Sequence, residues 1–160
     1  MTDAQPAPPP AERKIAVDAF NLVWTLLEKT DRTDLETDRM IHAAHASRFH
    51  WEQVGTAVNL ARGEWQCSRV YAVLGMAESA LHHARRTLEI CEENGIADFD
   101  VAYAYEALAR AHAAAGSRED SSRYWDLAAG AAAGIAEKDD RDYFAQDLAK
   151  EPWYGCRDEG

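Results

Sequence analysis

The sequence lacks the motifs by which most enzyme classes are identified. It has no GxSxG nucleophile turn, no phosphate-binding loop and no dinucleotide-binding glycine pattern. The HExxH and Glu-x-x-His pairs typical of zinc proteases and di-iron bundles are missing as well. No specific reaction is therefore indicated, and no cofactor is predicted.

Long apolar runs are also missing. No stretch approaches the roughly 18 apolar residues that a membrane span requires, so no membrane association is predicted. The opening MTDAQPAPPPAERK lacks the basic and apolar regions of a secretion signal, which favours the cytoplasm. We expect residues 1–11 to form a disordered, Pro-rich lead, residues 12–151 a single helical domain, and residues 152–160 a C-terminal tail.

Cysteines and basic residues are scarce. Cys67, Cys91 and Cys156 are odd in number and form no CxxC pair, so we expect free thiols. Seventeen Lys and Arg face 28 Asp and Glu, and the net charge of −11 argues against a nucleic-acid partner. Residues 41–90 nevertheless carry a small positive excess, which could attract an anion or an acidic peptide. The alternative is that the acidic residues only form a solubilising coat.

Helical spacing dominates what is present. Nothing alternates with period two over a long stretch, whereas apolar residues recur three and four positions apart. This pattern predicts seven helices, over about 12–29, 33–54, 56–74, 76–93, 98–116, 117–134 and 139–150.

Local signals mark the helix ends. Thr33 and Glu36 have the spacing of a capping box, which should begin the second helix. Gly55 predicts a left-handed stop for that helix, while Gly75 and Gly116 should end the third and fifth helices. The residues expected to face inward include Ile15, Leu22 and Tyr143.

The chain overlays on itself with a shift of 41 residues, which brings Gly75 onto Gly116. The stretch LGMAESALHHARRTLEI resembles the second half of a tetratricopeptide repeat, with Ala80 and Thr87 at the small positions that follow the turn glycine. The next repeat matches the same pattern at Tyr105, Leu108, Ala109, Gly116, Ser121, Trp125 and Ala128.

The resemblance covers about residues 58–133 well, whereas residues 12–55 match only in periodicity. Ala84 and His112 depart from the pattern, standing where an aromatic residue and a tyrosine are usual. We expect His112 to be a hydrogen-bonded packing residue. The family resemblance implies an all-α fold: a right-handed solenoid of about three antiparallel helix hairpins, with a C-terminal capping helix.

Tetratricopeptide proteins usually hold peptide segments on a concave surface lined by the first helix of each hairpin. Counting from the matching glycines places nine residues on that surface: Asn21, Trp24 and Glu28, then Arg62, Trp65 and Arg69, then Tyr103, Glu106 and Arg110.

This set offers guanidinium groups for carboxylates and flat indole faces for stacking. We therefore expect a non-catalytic binding or scaffold protein whose partner is a protein or peptide segment, or a small anionic ligand. The alternative is that the Arg and Glu side chains pair with one another and the Trp rings fill space between hairpins.

The segment HAAHASRFHW, residues 42–51, raises a second hypothesis. His42 and His45 share a helix face, as two metal ligands would, but a third ligand would have to come from another helix. A small-molecule enzyme or a metal-binding protein using His42 to His50 is thus an alternative function. We expect instead that His45 and Arg48 edge the concave groove. His82 and His83 should lie on the solvated flank of the fourth helix.

A third hypothesis is a homo-oligomeric structural protein with no groove ligand. Solenoid ends expose helix faces, so a homodimer through helix 1 or helix 7 is one way to cover them. Trp153 and Tyr154, which follow the last helix, would favour association if they were not packed.

Overall fold

A computed structural model describes residues 10–157 of the chain. The predicted disordered lead lies outside the described residues, except for Pro10 and Ala11, which begin the first helix. The described part contains seven helices: α1 (Pro10–Leu27), α2 (Asp34–Val54), α3 (Ala57–Val73), α4 (Ala77–Glu93), α5 (Phe99–Ala114), α6 (Arg118–Ala132) and α7 (Lys138–Ala149).

Consecutive helices pack as three hairpins, α1 with α2, α3 with α4, and α5 with α6. Neighbouring hairpins meet through α2 and α3 and through α4 and α5, while α3 also touches α5. Helix α7 packs on both α5 and α6. The prediction of an all-helical chain is confirmed for residues 10–157, and the hairpin packing is consistent with a helical repeat. Within this range, no helix has the length and apolarity needed to cross a bilayer.

The capping box at the start of α2 is confirmed. The backbone N–H of Glu36 donates to Thr33 Oγ1 at 3.2 Å, and the N–H of Thr33 donates to Glu36 Oε2 at 3.0 Å. Two backbone donors that have no partner within the helix are satisfied in this way.

The predicted left-handed stop at Gly55 is wrong. Its φ of −99° and ψ of −172° are extended, because the next residue, Thr56, is already the N-cap of α3. The glycine is required by space instead. A Cβ there would lie 2.8 Å from both Asn59 Cβ and the Trp51 carbonyl oxygen.

The two glycines used to align the repeats do adopt the left-handed conformation. Gly75 has φ +73° and Gly116 has φ +77°, and each follows the end of the first helix of a hairpin. The small residues after them, Ala80 and Ser121, are fully buried where the hairpin helices approach each other.

Three side chains predicted to face inward do not. Ile15 and Leu22 are exposed on α1, where no further hairpin within residues 10–157 covers that side of the helix, and Leu22 retains 39% of its accessible surface. Tyr143 on α7 is 53% exposed, because it stands at the edge of a pocket rather than in the core.

The residues after α7 belong to the packed unit as far as the structure describes them. Trp153 is only 2% exposed and its indole Nε1 donates to the Leu148 carbonyl at 3.1 Å. Cys156 is also buried, as are the other two cysteines, and all three are free thiols. The tail up to residue 157 therefore adds a final layer to the core.

Candidate functional site

A pocket of about 230 Å³ opens where the first helices of the three hairpins come together. Residues of α1, α3, α5 and α7 line it, together with one residue of α4. The lining residues are Phe20, Trp24, Ala61, Arg62, Trp65, Thr87, Phe99, Asp100, Tyr103, Tyr143 and Asp147.

Aromatic rings make up most of the wall and hold one another in place. The Trp24 and Trp65 ring centroids are 5.5 Å apart, and Trp65 meets Tyr103 edge to face at 5.1 Å. Tyr103 in turn contacts Phe99 at 4.6 Å and Phe144 at 4.8 Å. Such edge-to-face and tilted contacts favour one orientation of each ring, so the wall is largely preformed.

Polar groups enter the pocket at two points. At the mouth, Arg62 Nε and Nη2 donate to the two carboxylate oxygens of Asp100 at 2.8 and 3.1 Å. This hydrogen bond and the charge of Asp100 raise the pKa of Arg62 above its ordinary value. At the α7 end, the Tyr103 hydroxyl donates to Asp147 Oδ2 at 2.9 Å. The mouth therefore carries a bidentate ion pair, and the inner end carries a carboxylate.

A buried ionic network lies behind the aromatic wall. Glu106, only 1% exposed, accepts from Trp65 Nε1 at 3.0 Å, from Arg69 Nη1 at 2.8 Å, and from Arg110 Nε. The carboxylate thus fixes the Trp65 indole from the side opposite the ring contacts.

Arg110 joins this network to the end of α7. Its Nη2 donates to the Asp147 carbonyl at 2.6 Å, and its Nη1 donates to the carbonyls of Lys150 and Pro152 at 2.8 and 3.2 Å. These are carbonyls at or just beyond a helix C-terminus, where helical hydrogen-bond partners run out. The guanidinium also stacks 4.2 Å above the Trp153 ring. Burial lowers the pKa of Arg110, and the charge of Glu106 counters this effect.

The structure brings four of the nine residues expected on the concave surface into one pocket: Trp24, Arg62, Trp65 and Tyr103. Arg69, Glu106 and Arg110 lie behind it, and both arginines donate to the Glu106 carboxylate. Asn21, on α1, and Glu28, just after the end of α1, are exposed and do not line the pocket.

Sequence reasoning did not place the other seven lining residues in a site: Phe20, Ala61, Thr87, Phe99, Asp100, Tyr143 and Asp147. A signal existed for two of them. Phe20 precedes Trp24 by four residues and Phe99 precedes Tyr103 by four, which places each pair on one helix face.

His45 and Arg48 lie between α2, α3 and α4 rather than at this pocket. His45 Nε2 is 2.8 Å from the Tyr71 hydroxyl, and Arg48 Nε donates to Glu64 Oε1 at 3.0 Å. Both His82 and His83 were expected on the solvated flank of α4. The prediction is correct for His82, which is exposed, and wrong for His83, which is partly buried. The His83 Nδ1 atom lies 2.6 Å from Glu64 Oε2, and the ring stacks on Tyr71.

Charges in this second cluster are balanced locally. Burial raises the pKa of Glu64, but the hydrogen bond and charge of His83, together with Arg48, outweigh it and leave the pKa below its ordinary value. Desolvation lowers the pKa of His45, and the charge of His83 adds to that effect. Burial raises the pKa of Cys67 to about 12.

The remaining histidines of the 42–51 segment do not converge. His50 Nδ1 lies 2.5 Å from Glu12 Oε1 on α1, and His42 is exposed on α2. Among residues 10–157, no group of three or more His, Cys, Asp or Glu side chains is arranged to hold a metal ion.

Comparison with known proteins returned no match: no family model, no curated protein and no solved structure resembles this chain closely enough to count.

Proposed function

We propose that this chain is a tetratricopeptide-like right-handed solenoid that binds a peptide segment without catalysis, and that the aromatic pocket receives one side chain of that peptide. Two left-handed glycines 41 residues apart, Gly75 and Gly116, support the solenoid hypothesis. The buried small residues that follow them, Ala80 and Ser121, support it as well. Helix α7, packed on the last hairpin, has the position of a cap.

The observation that carries the binding proposal is the equivalence of the lining residues. Trp24 and Trp65 occupy corresponding places in successive hairpins, as do Arg62 and Tyr103, and all four line one preformed pocket. Repeat proteins use the surface built by equivalent positions for binding. An aromatic pocket held open by ring contacts has the chemistry of an anchor site for a partner residue.

The size of the pocket favours a side chain over a free small molecule. Pockets that enclose a whole ligand usually measure about 300–1,000 Å³, and this one measures about 230 Å³. A small anionic ligand is also disfavoured at this place, because Arg62 is the only basic residue in the described lining and Asp100 already occupies it. An acid would have to displace that carboxylate.

Peptide selection tests the proposal. The protein is used as bait for a displayed random-peptide library, and the affinities of selected peptides are measured by fluorescence polarisation. Tyr143→Ala, which removes an exposed ring from the pocket edge, should weaken binding roughly tenfold, as expected for loss of an aromatic contact at an anchor site. Its exposure means that the fold should tolerate the change.

Phe49→Ala is the matched control. Phe49 is an exposed aromatic residue on α2 that does not line the pocket. Its replacement should leave peptide affinity unchanged. The proposal is wrong if no peptide is selected, or if selected peptides bind the Tyr143→Ala variant as tightly as the wild type.

A further inference from the structure

We infer that the side chain received by this pocket is an alkylammonium ion, of the kind carried by a lysine of the bound peptide. The inference rests on the proposed function and adds the charge of the anchor residue. It follows from the aromatic walls, from a buried carboxylate at the inner end, and from the charge balance at the mouth.

The aromatic walls suit a cation. Trp24, Trp65, Phe99 and Tyr103 line the cavity together, and π faces carry negative charge density that attracts ammonium groups within about 6 Å of the ring centre. Trp gives the strongest attraction of this kind. The Trp65 indole N–H, the positive edge of that ring, is directed to Glu106, which leaves a wall formed by carbon atoms.

A carboxylate stands at the inner end. Asp147 is 6% exposed and lines the pocket, with Tyr103 as a neutral hydrogen-bond donor to Oδ2. Its ionic partner is Lys150, whose Nζ lies 3.1 Å from Oδ1. Most of the Lys150 side chain is exposed to water. Solvent around Lys150 screens its charge, so this lysine neutralises the buried carboxylate only in part. A carboxylate in a mostly apolar cavity favours a ligand that brings a positive charge.

The state of Tyr103 agrees with a negative potential here. Burial raises the pKa of its hydroxyl, and the charges of Asp147 and Glu106 raise it further. The hydroxyl therefore remains a donor to Asp147 at neutral pH and adds no competing negative charge.

Arg62 does not make the mouth positive. Asp100 binds it in a bidentate pair, and the negative charge of Asp140 also acts on the guanidinium. Two carboxylates therefore face one guanidinium at the mouth. At the inner end, Lys150 and the Glu106-paired Arg110 both act on Asp147. An entering cation thus meets a net negative mouth on a protein whose overall charge is also negative.

Two probes of nearly equal shape separate charge from hydrophobicity: choline, and its neutral isostere 3,3-dimethylbutan-1-ol. Each is titrated into the full chain at constant ionic strength, with the indole N–H signals of Trp24 and Trp65 followed by two-dimensional NMR. Choline should bind about tenfold more tightly, the preference expected of a largely desolvated cation–π site.

Asp147→Asn should reduce the preference to threefold or less. Asp142→Asn, the same charge change at an exposed position of α7, should leave it intact. If Asp147→Asn fails to fold, Tyr143→Lys and Tyr143→Met serve instead. Both remove the ring and should weaken the two probes, but only Tyr143→Lys should abolish the preference for choline over the neutral probe.

The results separate this inference from the proposed function. Equal affinity for the two probes, or no detectable binding of choline, overturns the ammonium inference. Selected peptides that depend on Tyr143 but lack a lysine at the anchor position also overturn it, while the peptide-binding proposal stands. Failure to select any Tyr143-dependent peptide overturns the peptide proposal itself, even if choline binds.

Discussion

The indole Nε1 of Trp65 donates a 3.0 Å hydrogen bond to Oε2 of Glu106, and the two residues are 41 positions apart. That separation equals the distance between Gly75 and Gly116, so the bond joins equivalent positions of successive hairpins. The rings of Trp24 and Trp65, again 41 positions apart, are in contact as well. Equivalent residues of the three hairpins thus contact one another in series, and the pocket lies beside that series.

The buried carboxylate of Glu106 should be the most sensitive point of this series. Glu106→Gln leaves Arg69 and Arg110 without their shared negative partner inside the core. Breaking a buried ionic group by neutralising one member typically costs about 3–5 kcal/mol. We expect a loss of at least about 3 kcal/mol in the free energy of unfolding, measured by urea titration with circular dichroism.

Glu28→Gln provides the comparison for that experiment, because Glu28 is exposed just after the end of α1. This control should change the free energy of unfolding by less than about 0.5 kcal/mol. A Glu106→Gln variant as stable as the control would show that the network contributes little to folding.

The left-handed turn at Gly116 gives a second test. A Cβ at this position would meet nothing within 4 Å, so any penalty of Gly116→Ala comes from the backbone φ of +77° alone. A left-handed backbone conformation costs a non-glycine residue about 1–2 kcal/mol. We expect Gly116→Ala to lower the free energy of unfolding by that amount. Gly130→Ala in α6 is the matched opposite. A Cβ at Gly130 would also have no atom within 4 Å, but this residue lies within a helix. The substitution should therefore raise the free energy of unfolding by about 0.5–1 kcal/mol.

Both variants are compared by their urea midpoints under identical conditions. Equal effects of the two substitutions on the free energy of unfolding would show that the left-handed φ of Gly116 imposes no penalty on alanine. That result would remove the conformational argument for a glycine at this turn.

Features encoded by neighbouring residues were the predictable part of the fold. The capping box of Thr33 and Glu36 depends on three residues of spacing, and it is present. Gly55 shows where such reasoning fails. A glycine between two helices suggests a left-handed stop. Gly55 is extended instead, because α3 starts immediately after it, with Thr56 as the N-cap.

The candidate site was predictable only where it follows the repeat. Trp24, Arg62, Trp65 and Tyr103 were located by register alone. Asp147 was not, because α7 lies outside the repeat and reaches the pocket through tertiary packing. Arg110 has the same register as the groove residues, yet it turns to the carbonyls at the end of α7. Those carbonyls carry no sequence signal, since every residue has one.

The cysteines should be poorly reactive in the folded protein. Burial raises the pKa of Cys67 to about 12 and that of Cys91 to about 11. Thiolates are the reactive form, so both lose reactivity through low ionisation as well as through shielding. Alkylation by iodoacetamide at pH 8, followed by peptide mass spectrometry, should proceed at least about tenfold more slowly at these two residues than in 8 M urea. Rates equal to those in urea would show that α3 and α4 open readily.

Stability should fall on mild acidification, with His112 as one cause. The ring is stacked on Tyr124 at 5.4 Å, and burial lowers its pKa below the ordinary value of 6.5. The charge of Asp120 acts in the opposite direction, while those of Arg85 and Arg123 add to the lowering. Because the unfolded chain binds a proton more readily at this residue, acidification below about pH 6.5 favours unfolding.

His112→Gln removes this proton-binding difference. The stability of the wild type relative to the variant should therefore decrease between pH 7.5 and pH 5.5, as measured by urea unfolding at each pH. His82→Gln, at an exposed position of α4, controls for loss of an imidazole and should follow the wild-type profile. A difference between wild type and His112→Gln that stays constant over this range would show that the ring is not desolvated enough to resist protonation. An increase on acidification would mean that Asp120 outweighs burial and that the protonated ring is the stabilised form.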